Sequence, residues 1–216
     1  MKYLQKFRMF RESDWDWTTT DSGEKFKNAP EASALWLKGC IDGTWSKDPR
    51  SGLVNVEGDV DFSFQRLRVV PHGVQFGKVA GNFAAFGNDF RDLKGFPFFV
   101  KKKFNVADNP IENYEGAPFA VGWSFKSDDI DMRGKEWNAK KVLFESPDKK
   151  ALQSAPFMKA ECWNRLFEFY PAEGVTLIAH VWNLPEFADI RKDVKIPAGQ
   201  QDKLNLRSEL SDLGLF

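Results

Sequence analysis

From Gly81 to Phe86 the side chains alternate, Phe83 and Ala85 on one side and Asn82 and Ala84 on the other, which predicts a short strand with one buried face. Lys102 to Ala107 repeats the pattern, with Phe104 and Val106 inward and Lys103 and Asn105 outward. Each run is followed by an asparagine, Asn88 or Asn109, and then by Gly95-x-Pro97 or Gly116-x-Pro118. These glycines and prolines turn the chain back, because glycine accepts positive φ and proline presets its own. The crowded stretch "KGFPFFVKKKFNV", residues 94 to 106, is therefore a junction: Phe96 and Phe98 flank a turn proline, while Val100 and Phe104 belong to successive units.

Rows of twenty-one residues begun at Val60, Gly81, Lys102 and Trp123 bring out the columns. Phe62, Phe83, Phe104 and Phe125 align, as do Val79, Val100, Val121 and Val142, and as does the apolar set Val69, Phe90, Ile111 and Met132. The two central rows share F-x-x-x-x-N-x-[FI]-x-x-[LY]-x-G-x-P-x-x-V. One such unit is too small to bury its own apolar side, so like residues must stack over like in a continuous ladder. The expected fold is an α+β repeat protein, a short parallel β-solenoid with 21-residue coils and helical caps. Residues 46–145 would form the solenoid, 1–45 an N-terminal cap and 146–216 a C-terminal helical cap and tail. Asn88 and Asn109 are expected to bond the backbone of the adjoining coil, since an amide side chain both donates and accepts. His72 shares a column with Leu93 and Tyr114 and reads as structural.

The central rows resemble the leucine-rich-repeat-like proteins of large tailed bacteriophages, whose units run approximately G-x-F-x-C-x-x-N-x-L-x-x-L-x-G-x-P-x-x-V. Phe83, Asn88, Phe90, Leu93, Gly95, Pro97 and Val100 fall on those positions, as do Phe104, Asn109, Ile111, Tyr114, Gly116, Pro118 and Val121. The likeness covers about residues 56 to 142. Phenylalanine and isoleucine replace leucine, no cysteine occupies its column, and the outermost rows lack Asn, Gly and Pro. The resemblance implies a right-handed parallel solenoid with a non-enzymatic, interaction-type role.

Charge and composition narrow the partner. Lysine plus arginine and aspartate plus glutamate are 31 each, so no global field draws in nucleic acid or an anionic membrane. Cys40 and Cys162 have neither disulfide-framework nor zinc-site spacing, which points to a reducing cytoplasm. No apolar run is long enough for stable membrane insertion. No phosphate-binding glycine loop, nucleophile elbow or HExxH motif is present, and no cofactor or metal is expected. The triplet Lys101 to Lys103 is balanced by nearby acids, and "SDDID" (127 to 131) reads as a solvated turn because it lacks calcium-loop spacing. A Cys162–His180 dyad would lie in apolar surroundings.

The ends hold the helices. "APEASALWLKGC" carries Pro30 for a first turn and Gly39 for a stop. In "MKYLQKFRMFRES", Tyr3, Leu4, Phe7 and Phe10 share one helical face among basic residues, which fits a terminal helix packed on its own domain, a segment that docks on a membrane, or a leader similar to the head-targeting leaders of phage internal proteins. "SPDKKALQSAPFMKAECWNRLFEFYP" predicts a helix, or two broken at Pro156; "GVTLIAHVW" fits a buried strand or a helix core, and the polar end a loose tail or a segment ordered on a partner.

The leading expectation is a protein–protein interaction module in a host cell, presenting the outward face of its strands to a host or phage protein. Stacking would align Asp61, Asn82, Lys103 and Ser124 in one outward file, and Ser63, Ala84, Asn105 and Lys126 in the next. Asn82, Phe86, Lys103, Asn105, Ser124 and Lys126 are the candidate contact residues. Two alternatives stand beside it: a polysaccharide-binding or polysaccharide-cleaving β-helix using Asp59 with Asp61 or Asp128 with Asp131, and a packaged virion component.

Overall fold

The computed structural model describes residues 29–71, 73–132, 137–138 and 154–213. Each repeat lays two short strands end to end, with a kink between them, before the chain turns back. The first rung is the single long strand β2 (Val54–Asp61); the next three are β3 (Phe76–Val79) with β4 (Phe83–Ala84), β5 (Phe99–Val100) with β6 (Lys103–Asn105), and β7 (Ala120–Val121) with β8 (Ser124–Lys126). One parallel ladder runs from the first half of β2 through β3, β5 and β7, and a second from its other half through β4, β6 and β8. The result is a β-solenoid of three turns. Antiparallel strands form the edges: β1 (Ile41–Lys47) on β2, β9 (Asp131–Met132) on β8 and β10 (Trp137–Asn138) on β7.

The interior is a phenylalanine stack. Phe83, Phe104 and Phe125 are Cα partners in successive rungs, all fully buried, with ring centroids 5.5 Å and 4.9 Å apart. Val79, Val100 and Val121 are likewise in register and buried. Offset ring contacts of this kind add to the burial of large apolar surfaces. Val142 and His72 lie outside the described residues.

The first turn departs from the spacing. Val60, not Phe62, is the Cα partner of Phe83, so twenty-three residues separate these rungs. Phe62 lies two residues further on, still buried, and meets Phe83 edge-on at 5.3 Å. Leu67 takes the place expected for Val69: Leu67 is buried while Val69 is 64% exposed. One extra residue falls between Leu67 and the turn at Val74, whose N–H donates to the Pro71 carbonyl. The other forms a bulge where β3 passes Asn55, whose Oδ1 accepts the Lys78 N–H at 2.9 Å.

The fourth row does not make a coil. With Ile130 where the central rows have asparagine, the Ser127 N–H donates to the Ile130 carbonyl, Ser127 Oγ accepts the Ile130 N–H, and β9 returns antiparallel to β8. Met132 therefore pairs with Phe125 and leaves the Phe90–Ile111 column.

Gly95 and Gly116 make the predicted turns in the left-handed region, at φ +88° and +85°. A Cβ on Gly116 would lie 2.2 Å from the Leu93 carbonyl oxygen of the coil before. Gly116→Ala is expected to lower the unfolding free energy by about 1–3 kcal/mol from backbone strain alone. Urea denaturation checks this, and an unchanged midpoint would mean that the coils are not stacked so closely.

Helix α1 (Ala29–Cys40) covers the first coil: Trp36 packs on Phe62 at 5.2 Å and donates its indole N–H to Gln65 Oε1 at 3.0 Å. Of the C-terminal helices α2 (Ala160–Phe169), α3 (Pro171–Ala179), α4 (Ala188–Arg191) and α5 (Gln201–Asp212), α2 and α3 meet at Tyr170 on the flank of the stack, and α5 packs on α3. Trp163 meets Phe119 at 4.9 Å and Tyr170 meets Phe99 at 5.3 Å. Tyr170 also donates to Asn55 Oδ1 at 3.0 Å, over Gly77, where a Cβ would come within 2.4 Å of the Tyr170 hydroxyl. "GVTLIAHVW" is thus mostly helix, and the polar end is an ordered helix anchored by the fully buried Leu204.

Candidate interaction surface

The two ladders have different outer faces. Along the first, the outward file of Lys78, Phe99 and Ala120 runs beneath α2 and α3, with Lys78 Nζ 4.5 Å from the Tyr170 ring centre and ion-paired to Glu173. Along the second, no helix side chain among the described residues hydrogen-bonds to or stacks on the outward files.

Register fixes those files. Lys103 is the partner of Ser124, Asn105 of Lys126, Ala84 of Asn105 and Asp61 of Ala84. The two extra residues of the first turn move Asp59 to the head of the Asn82–Lys103–Ser124 file and Asp61 to the head of the Ala84–Asn105–Lys126 file. Asp61 and Ser63 are therefore each one file from their expected places. Asp59 accepts the Asn82 backbone N–H at 2.7 Å and its side-chain amide at 3.0 Å, and Asn82 Oδ1 accepts the Lys103 N–H at 3.4 Å. The Asn82 backbone N–H holds the Asp59 carboxyl below the usual carboxylate range. That direction suits a fixed anion and opposes a general acid.

Of the candidate contacts, Lys103 is exposed, and Asn82, Phe86, Asn105, Ser124 and Lys126 are half-buried on this side. Asn105 spends its Oδ1 on the Ala107 N–H at 3.2 Å. Asn88 and Asn109 lie beneath, bonded to backbone of their own and the neighbouring coil.

Two aromatics that sequence reasoning passed over also belong to this face. Trp123 is 52% exposed, with Lys103 Nζ 4.6 Å from its ring centre, a cation–π contact along the surface. Phe64 is 65% exposed, edge-on to Phe86 at 4.8 Å. Its φ of 58° matches Gly87 (67°) and Asp108 (55°), the residues of the same column in the next coils. A phenylalanine held in the left-handed region is a conformation bulky residues avoid. Reading the first row with a twenty-three-residue offset would have placed Phe64 over Gly87 and exposed the mismatch.

On the side of the second ladder charge is graded along the stack. The first rung and β1 carry Asp42, Glu57, Asp59 and Asp61 there, the second rung has the uncharged Ala80, Gly81, Asn82 and Ala84, and the third carries Lys101, Lys102 and Lys103.

Comparison with protein-family models, curated proteins and solved structures returned no match. The phage-repeat likeness rests on the Phe, Asn, Gly and Pro columns alone.

Ser127 Oγ is 2.7 Å from the Tyr114 hydroxyl, and Asp128 accepts the Asp108 N–H at 2.7 Å, which ties up the "SDDID" turn. Among the described residues no group of three His, Cys, Asp or Glu is placed to hold a metal, and no helix is long and apolar enough to cross a membrane. Burial pushes the Cys162 thiol up, away from a thiolate, and His180 Nδ1 lies 3.4 Å from Ser211 Oγ. Burial pushes the Cys40 thiol up to about 12.

Proposed function

We propose that the protein is a non-enzymatic interaction module that binds a protein partner through the outer face of its second ladder. The observation that carries this reading is the asymmetry of the two flanks among the described residues: helices cover one outward face, while the other presents polar files bordered by the exposed rings of Phe64 and Trp123. Exposed aromatics beside backbone-ordered polar groups are the composition of interface anchors. The resemblance of the central rows supports a source in a large tailed bacteriophage and a place of action in the host cytoplasm.

A photo-crosslinking amino acid at Asn105 tests the site. Irradiation in cells is expected to give a discrete adduct from Asn105 and none from Glu168, an exposed position on α2. The pair Lys103→Glu and Lys126→Glu is expected to abolish the adduct. Equal adducts from both positions, or retention after charge reversal, would place the binding surface elsewhere.

A further inference from the structure

The charge gradient and the relief of the second-ladder face are both self-complementary. From these we infer that the partner is a second copy of this chain, docked face to face about a twofold axis that runs along the second rung. This rests on the reading of that face as the binding surface and names its occupant. A twofold lying in the plane of a face returns each strand position to its own column while reversing the order of the rungs, as an isologous contact requires.

Three consequences follow from the columns. Ala80, Gly81 and Ala84 lie at the axis, with side chains small enough for close approach. The third rung of one copy lies over the first rung of the other, which sets Lys101 opposite Glu57 and Lys103 opposite Asp59. The fourth rung lies over β1, so Trp123 meets Gly43, whose Cα partner in β2 is Gly58. These two glycines leave a spot without side chains on an otherwise acidic strand pair, and the indole is the largest exposed side chain on the opposite end of the face. Bulk meets a gap where positive meets negative. The match costs nothing in net charge, because the chain carries 31 basic and 31 acidic residues.

Sedimentation equilibrium of the full chain tests the inference. The wild type is expected to dimerise at low ionic strength and to dissociate progressively as salt screens the exposed pairs. Lys101→Glu with Lys103→Glu sets acid opposite Glu57 and Asp59, and Asp42→Lys with Glu57→Lys leaves Asp59 and Asp61 in place but sets lysine opposite Lys101. Each double variant alone is expected to be monomeric, and a mixture of the two to restore a dimer. Trp123→Ala is expected to weaken the dimer about tenfold or more, as loss of an aromatic anchor does. Near-ultraviolet circular dichroism establishes that each variant is folded. A wild type that sediments as a monomer at every salt concentration, or double variants that dimerise as the wild type does, would overturn the self-docking. An Asn105 adduct heavier than the protein by anything other than its own mass would overturn it too while leaving the binding surface in place.

Discussion

Phe104→Ala is expected to destabilise the protein by about 3–5 kcal/mol, the range for removing a fully buried aromatic ring from a core. Phe104 is the middle of the stack: Phe83 lies 5.5 Å below it, Phe125 4.9 Å above, and Phe96 meets it edge-on at 6.0 Å. Truncation leaves a gap between two rungs whose backbones are hydrogen-bonded at fixed separation, so neither neighbour can close it. Phe104→Leu retains most of the apolar volume and should recover much of the loss. Guanidinium or thermal unfolding of the two variants gives the comparison. Phe99→Ala makes a useful contrast, because Phe99 is only half-buried beneath Tyr170 and its loss detaches a helix contact without opening the stack. If Phe104→Ala cost no more than Phe99→Ala, the interior phenylalanines would not be the element that holds the coils together.

The stack was legible in the sequence where its period holds, and it was lost where the period slips by an even number. A side chain changes face with every residue, so a shift of two leaves all the inward positions inward. Phe62 reads as a core residue whether or not it is the true partner of Phe83. The same shift moved Asp59 into the place assigned to Asp61 and Leu67 into the place assigned to Val69, substitutions of like for like that alternation cannot detect. The hydrogen bonds of Asn88 and Asn109 tell the difference, because they tie Leu67 and Phe90 to equivalent positions.

Other parts were ambiguous for different reasons. The run from Gly174 to Trp182 is apolar without a decisive period, and Pro171, at the first turn, is what makes it a helix. Phe64 and Trp123 were invisible because an aromatic in a phenylalanine-rich repeat reads as core by default. What marks them as surface is backbone conformation in one case and position past the kink in the other, and neither is written in the residue type. The second-ladder face was foreseeable as a set of outward files, but its difference, among the described residues, from the helix-covered flank depends on Tyr170 and Trp163 crossing more than a hundred residues of sequence to reach Asn55 and about forty to reach Phe119.

Asn109→Asp should be more damaging than its near-identical shape implies, and its cost should depend on pH. Asn109 Nδ2 donates to the carbonyls of Ala85 (2.9 Å), Val106 (3.0 Å) and Ala107 (3.2 Å), while its Oδ1 accepts the Phe90 N–H (3.1 Å). The side chain is buried, so these groups have no access to bulk water. A carboxylate keeps the acceptor and turns a second oxygen toward three carbonyls, which removes the donors and adds a repelled charge. Each buried polar group left unsatisfied costs about 1–3 kcal/mol, so a loss of about 3 kcal/mol or more is expected near neutral pH. The folded state favours the protonated acid, which can still donate one hydrogen bond, so the folded-state pKa of the introduced group lies above its unfolded value of about 3.9. Its deficit relative to the wild type is therefore smallest below that value and grows as pH rises toward the folded-state pKa. Asn109→Ala removes donors and acceptor together and should show a large deficit with no such pH dependence. Denaturation midpoints for the three proteins across the acid range separate the cases. Parallel curves for Asn109→Asp and Asn109→Ala would mean that the amide's donors are not what binds one coil to the next.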